Sequence, residues 1–260
     1  MGLLADPEGV PYLLKALKDR TVTVRRYAIR SLGQIKDLRA VEPILPFLHH
    51  STSKVHREAF DALVGFGAEA VPTYIHYLQE KPDFRRCMAM ILGKLGDARA
   101  VEPLIALLYE VDSSSDVYTV TNAIGSLGKI GDARAVEPLI AFLNKIDSSA
   151  NAYMVAQAIV SLGEIGDLRT CDVLSVIANK PDEALPSDDR WFKPLHIRYD
   201  AALVLAEMGD VRAVDPLIAH YEFENTQWMQ QKIKIALQKI DHSDARAALA
   251  WLEESTPQPI

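Results

Sequence analysis

Residues 131–140 read Gly-Asp-Ala-Arg-Ala-Val-Glu-Pro-Leu-Ile and recur unchanged at 96–105; no other feature limits the fold as strongly. Looser copies begin at Lys36-Asp37, Gly166-Asp167 and Gly209-Asp210, and degenerate ones at Asp6, Gly67 and Asp241. Starts at 6, 37, 67, 97, 132, 167, 210 and 241 are separated by 31, 30, 30, 35, 35, 43 and 31 residues. Self-similarity at this period marks a solenoid, whose units cannot bury an apolar face alone and stack on their neighbours. The expectation is an all-α fold, an α-solenoid (α-α superhelix) of about seven helical hairpins plus a C-terminal helix. It forms one domain over 1–252, and the polar, Pro-rich tail 253–260 frays.

Each unit reads as two helices. In the Gly-Asp pair, Gly ends one helix in the left-handed C′ position, and Asp caps the next by accepting from a free N–H. Pro is tolerated in a first turn, where its missing N–H removes no helical bond. Asp-x-Arg-Ala is therefore a tight turn, with the first helix starting near Val101 in the fourth unit; a longer, kinked first helix is the alternative. The second helix follows, as in residues 24–35. Its apolar spine is Leu32, Leu63, Leu92, Leu127, Leu162, Leu205 and Leu237, with Ala28, Ala59, Met88, Ala123, Ala158, Ala201 and Ile233 one turn earlier on the same face. Gly33, Gly93, Gly128 and Gly163 follow the Leu in four units. Mid-helix Gly costs roughly 1 kcal/mol against Ala, so close approach of a neighbouring helix is expected there.

Composition narrows the function classes. No apolar run approaches the roughly 20 residues of a membrane span, and no basic-then-apolar leader pattern opens the chain, so the cytoplasm is expected. Cys87 and Cys171 lie in different units without a C-x-x-C, against disulfide scaffolding or structural zinc. Residues 1–100 carry 15 Lys and Arg against 11 Asp and Glu, whereas 101–260 carry 13 against 24. Such asymmetry concerns partners and steering.

Recognition is expected on second-helix positions away from the spine. One column runs Arg26, Arg57, Arg86, Thr121, Ala156, Tyr199 and Gln231. Four residues on it runs Arg30, Asp61, Met90, Gly125, Val160, Leu203 and Ile235, and between them lie Tyr27, Glu58, Cys87, Asn122, Gln157, Asp200 and Lys232. The arginine file stops at Arg86 and an acidic half follows, which argues against a nucleic-acid track. Arg pairs with carboxylates bidentately, so a protein carboxylate patch or an anionic ligand is the expected partner. Arg25, Arg85 and Arg198 at the helix heads, with the Asp-x-Arg turns, are expected in structural polar ladders between units. Cys87 follows Arg85-Arg86, a setting that lowers a thiol's pKa; a half-buried inert thiol is the alternative. Cys171 is expected in the core.

Three connections exceed what the array needs: Glu110–Asp116, Lys145–Asn151 and Asn179–Leu195. Insertions in successive units map to one rim, and Trp191 with Phe192 in the last is a candidate interface anchor. His49-His50 lacks ligand partners at metal spacing, so no metal site is expected. No nucleophile–base pair, Gly-rich phosphate loop or carboxylate dyad is present, so no catalytic residue is assigned.

The Gly-Asp-x-Arg-Ala-Val-Glu-Pro-Leu-Ile signature, followed by a helix ending Ser-Leu-Gly, resembles HEAT repeats of the phycobilisome-lyase type over nearly the whole chain. Gly67–Val71 and the residues from Asp241 onward depart from it. That family includes E/F-type phycobilin lyase subunits, which act as heterodimers to attach or transfer bilins. It also includes phycobilisome-degradation proteins, bacterial adaptors and a partner of an A-type iron–sulfur carrier. The resemblance implies that the second helices line a concave groove. Deoxyhypusine hydroxylase, a relative with di-iron His-Glu pairs, is not matched, because no His-Glu dipeptide occurs.

The first expectation is a non-catalytic scaffold or adaptor gripping a protein through that groove and the extended-loop rim, without a cofactor. The alternative is a bilin-lyase or phycobilisome-processing subunit, paired in a heterodimer with a second HEAT chain. There Arg26, Arg57 and Arg86 would hold phycobilin propionates, and Tyr27, Tyr199 and Asp200 would be acid/base candidates. A partner of an iron–sulfur carrier is a further alternative.

Overall fold

The turns between hairpins show why the repeat folds as it does. In the computed structural model, which describes residues 6–49, 53–109, 117–145, 151–186, 194–223 and 226–254, Gly96, Gly131, Gly166 and Gly209 take φ between 67° and 74°. Left-handed backbone of this kind is nearly free for Gly and strained for other residues. Lys36 adopts it without being Gly, at φ 60°. The Asp that follows accepts from the backbone N–H two residues on, at 3.0 Å for Asp37 and 2.9 Å for Asp97, Asp132, Asp167 and Asp210. The next three residues form a single 3-10 turn, and the α-helix begins one residue later, at Val101 in the fourth unit. The tight turn, and not the longer kinked helix, is what forms.

Fifteen α-helices result among the described residues, with no strand. Seven hairpins pair α1 (Val10–Ala16) with α2 (Val22–Ile35), α3 (Val41–Ile44) with α4 (Ser53–Gly65), and α5 (Val71–Glu80) with α6 (Arg85–Leu95). They continue as α7 (Val101–Tyr109) with α8 (Val117–Ile130), α9 (Val136–Asn144) with α10 (Ala152–Ile165), α11 (Cys171–Ala178) with α12 (Pro194–Glu207), and α13 (Val214–Phe223) with α14 (Gln227–Gln238). A last helix, α15 (Ser243–Glu254), follows; residues 255–260 of the tail lie outside the described residues.

Contacts group the chain into two compact units, Met1–Leu104 and Ile105–Ile260, with the division inside α7. In the first unit α2 packs on α4 and α4 on α6, with α1, α3 and α5 each against the second helix of its own hairpin. In the second, α8, α10, α12 and α14 pack in series, and α15 closes against α13 and α14.

Both expected spine columns are buried in all seven hairpins. Each fully buried Leu contributes on the order of 2 kcal/mol through removal of apolar surface from water. The small residues between them let helices close up: a Cβ added at Gly33 would lie 2.7 Å from the Ala62 Cα, and one at Gly128 would lie 2.8 Å from the Ser161 Cα. Buried Ser161 donates from Oγ to the Ile124 carbonyl at 3.0 Å, and Tyr74 from its hydroxyl to the Leu63 carbonyl at 2.6 Å. Cys171 is buried, as expected, with Sγ 4.0 Å from the Met208 sulfur. Among the described residues no helix is long and apolar enough to cross a membrane.

Candidate binding face of the second helices

Arg26 and Arg30 stand one turn apart on α2 and converge on Glu58 of α4. Arg26 Nη2 donates to Glu58 Oε1 at 2.9 Å, and Arg30 donates through Nε to Oε2 at 3.1 Å and through Nη2 to Oε1. Hydrogen bonding from Arg30, then from Arg26, holds the half-buried Glu58 carboxyl below the usual carboxylate range against the opposing effect of burial. Arg30, in return, is pushed further up. Beside this triad is an open cleft of about 480 Å³, lined by Arg30, Gly33, Gln34, Arg57, Glu58 and Asp61. Arg57 is exposed on its wall, and Tyr27 is 61% exposed nearby, with the Arg30 guanidinium carbon 5.8 Å from its ring centroid.

Within the arginine file, Arg26 shares with Arg30 a carboxylate of the next hairpin, and Arg57 and Arg86 are exposed. Cys87 is half-buried, in line with the inert alternative and not with an acidified thiol. Burial raises its pKa, and the lowering by Arg86 is the smaller effect; a thiol held protonated is a poor nucleophile.

The helix-head arginines donate to backbone carbonyls of their own hairpins. Arg25 donates to the Asp19 and Arg20 carbonyls at 2.8 and 3.1 Å, Arg85 to those of Leu78 and Gln79 at 3.1 and 3.2 Å, and Arg198 to that of Lys180 at 3.4 Å. Arg85 closes the carbonyl end of α5, where a cation also meets the negative end of the helix dipole, whereas Arg25 and Arg198 hold carbonyls of the connections after α1 and α11. The turn arginines reach from one hairpin to another. Each folds back on its own Asp, and Arg99 reaches the Ala68 carbonyl at 2.6 Å, Arg169 reaches Glu137 at 3.2 Å and Arg212 reaches Asp172 at 2.7 Å. Hydrogen bonding from the Arg pulls Asp97, Asp132 and Asp167 down to about 2.

In the second unit the same columns change character. Thr121, Ala156 and Tyr199, aligned with Arg26, are all buried. Tyr199 was expected on an open groove; instead it stacks on buried His220 of α13, ring centroids 4.2 Å apart and 17° from parallel. A cleft of about 260 Å³ beside them is lined by Asn179, Arg198, Tyr199, Asp215, Pro216 and His220. The neighbouring Asp200 is pushed up to about 6 by burial, only partly offset by Lys232. His220 was not singled out from sequence, although a signal exists: it stands where the first helices of the preceding units carry Leu107, Phe142 and Ile177, a core position.

Trp191 and Phe192 lie outside the described residues, as do most of the three long connections. Among the described residues no group of three His, Cys, Asp or Glu is placed to hold a metal.

Capped turns, a buried Leu-Ala spine in each unit and helical hairpins define an all-α repeat protein. HEAT repeats match residues 1–64, 41–117 and 71–149, and the PBS lyase HEAT-like repeat matches residues 197–222. The chain belongs to the HEAT-repeat family. Over 91 residues it is 34% identical to the bilin biosynthesis protein PecE of Nostoc sp. (strain PCC 7120), a match spanning 34% of this chain and 36% of that protein. Among solved structures, the complex of CpcE and CpcF of phycocyanin lyase from Nostoc sp. PCC7120 contains a chain 21% identical, with 95% of this chain and 94% of that one covered at a TM-score of 0.44. Human deoxyhypusine hydroxylase is 17% identical, with 92% and 88% covered at a TM-score of 0.40.

Proposed function

We propose that this chain is a non-catalytic HEAT-repeat adaptor that works in the cytoplasm and holds a partner protein on the second-helix face of its first unit. The supporting observation is the cleft beside the Arg26–Glu58–Arg30 triad. Its guanidiniums are fixed in place before any partner arrives, and exposed Arg57 and Arg86 extend the positive surface along α4 and α6. A carboxylate-bearing partner meets donors whose orientation entropy is already spent. The test is affinity capture from native lysate with mass spectrometry, comparing wild type with an Arg57→Ala/Arg86→Ala variant. Partners retained equally by both would remove the reading.

A second reading is supported by the identity to PecE. Here the chain is a subunit of a bilin-attaching or bilin-transferring pair, completed by a second HEAT chain. Arg57 and Arg86 hold propionates, and Tyr27 and Asp200 remain as acid/base candidates; buried Tyr199 supports its helix instead. Titration with phycocyanobilin separates the readings. A red-shifted band at micromolar ligand, lost in Arg57→Ala/Arg86→Ala, favours the bilin subunit, and an unchanged spectrum discards it.

A further inference from the structure

A row of aromatic residues marks the second helices of the second unit. Five residues before the spine Ala or Ile of α8, α10, α12 and α14 stand Tyr118, Tyr153, His196 and Trp228. The equivalent positions in the first unit hold Thr23, Lys54 and Asp83, so the aromatic file is confined to one unit. Tyr118, Tyr153 and Trp228 are 59%, 45% and 63% exposed, an unusual cost for three large rings on neighbouring helices. Four residues further along each helix, on the same face, come Asn122, Gln157, Asp200 and Lys232, and three beyond those, exposed Val160 and Ile235 on α10 and α14.

We propose that this face is a docking track for an extended, basic peptide segment of a partner protein. It rests on the adaptor reading and supplies a second contact with its own chemistry. Four features support the occupant. The unit is acidic, with 13 Lys and Arg against 23 Asp and Glu over residues 105–260, which draws cations and repels a phosphate backbone. The aromatic faces attract ammonium and guanidinium groups, and the protein already does this to itself: Lys232 Nζ sits 4.3 Å from the centroid of Trp228. The carboxamides of Asn122 and Gln157 offer both a donor and an acceptor, as a peptide backbone requires. Gln157 is half-buried, with Nε2 over Gly125, where an added Cβ would come to 3.0 Å, and 3.5 Å from Ser161 Oγ.

The spacing agrees as well. Packed helices stand roughly 8–10 Å apart, and a polyproline-type chain advances roughly 9 Å in three residues. Each helix therefore meets every third residue of the segment, whose cations fall between successive rings. Asp200, raised to about 6 by burial, is a carboxyl that an arriving guanidinium would draw back to its ionised form.

The experiment is fluorescence anisotropy with the full chain at physiological salt. The probe is a fluorescein-labelled peptide carrying arginine at every third position, with proline and alanine between. Saturable binding is expected, weakened at least about tenfold by Tyr153→Ala and by Trp228→Ala. Asp200→Asn should weaken it as well, and Arg57→Ala should leave it unchanged. Lys232→Ala should tighten it by removing the internal competitor, a gain that no loss of folding can mimic. Wild-type affinity in both aromatic variants overturns the track, as does equally tight binding of a glutamate-for-arginine peptide or of a labelled oligothymidylate. If lysate partners are lost in Arg57→Ala/Arg86→Ala but the peptide does not bind, the track falls and the adaptor stands; peptide binding with no partner dependence on those arginines does the reverse.

Discussion

Glu58 and Asp200 occupy the same position of two repeats, yet their carboxyls shift in opposite directions. The cause lies one hairpin back. Before Glu58, α2 presents Arg26 and Arg30; before Asp200, α10 presents Ala156 and Val160 in those two columns. One carboxylate gains two guanidiniums across the helix interface and is held ionised. The other is half-buried without such partners, and desolvation raises it with Lys232 of the following helix opposing. In a stacked repeat the chemistry of a position is thus set by the neighbouring unit as much as by its own residue.

The largest effect is expected from forcing one unit's residue into the other. Ala156→Arg places a guanidinium where the native side chain is 6% exposed. An unpaired buried charge costs about 3–5 kcal/mol, so urea melts should show a lowered midpoint or no folded baseline. Val160→Arg is the counterpart that should be tolerated, because Val160 is exposed; by approaching Asp200 it should bring that carboxyl below its ordinary range, as read by carbon-detected NMR titration. An Asp200 still titrating near 6 would refute the neighbour-based explanation.

Next in size are the glycines. Gly33→Ala drives a Cβ to 2.7 Å from backbone of α4, which cannot yield without moving a helix, and should cost about 1–3 kcal/mol. Gly125→Ala meets only the end of the Gln157 side chain at 3.0 Å, which can swing aside. There the gain in helix propensity of about 1 kcal/mol offsets the contact. Chemical denaturation of both variants should therefore separate them clearly.

The turns are legible in sequence because Gly, Asp and Pro act through local backbone chemistry, so Val101 as helix start follows from a few adjacent residues. The spine is legible for a similar reason: Leu and Ala four apart share a face whatever surrounds them. Burial within the outer columns is not local. Thr121, Ala156 and Tyr199 align with Arg26, but their exposure depends on how closely α8, α10 and α12 approach, which small residues such as Gly125 permit. The Arg30–Glu58 pair joins residues 28 apart and needs a register between helices that no single column contains. At Cys87 the charged neighbours are visible in sequence, whereas the burial that outweighs them is not.

The paired carboxyls also predict opposite pH profiles, each on the order of 1 kcal/mol at partly buried sites. Glu58 has a lowered folded pKa. Its stabilisation is present above the unfolded value of about 4.3 and lost as pH falls through the lower folded one, so Glu58→Gln should destabilise near neutrality and not in strong acid. Asp200 has a raised folded pKa, so the native state binds the proton more tightly than the unfolded chain does. Its ionisation costs stability as pH rises from about 4 to 6, and Asp200→Asn should stabilise near neutrality while making little difference near pH 4. Denaturation midpoints from about pH 2 to about pH 7 check both. Curves of the same sign would break the contrast between the units.

The smallest effect belongs to the first inter-hairpin turn. Lys36 holds φ 60° where Gly96, Gly131, Gly166 and Gly209 hold similar angles in the later turns. A side chain in left-handed backbone costs roughly 1–2 kcal/mol, and glycine's freer unfolded chain returns about 0.4–1 of that. Lys36→Gly should therefore stabilise by about 0.5–1 kcal/mol, a rise of a degree or two in Tm for a chain of this size. Gly131→Lys should lose a similar amount in the second unit, because its backbone N–H makes the same bond, to the carbonyl four residues back, that Lys36 makes in the first (3.2 and 3.0 Å). Equal and opposite shifts would show that the two units share one turn energetics, even though their recognition faces diverge.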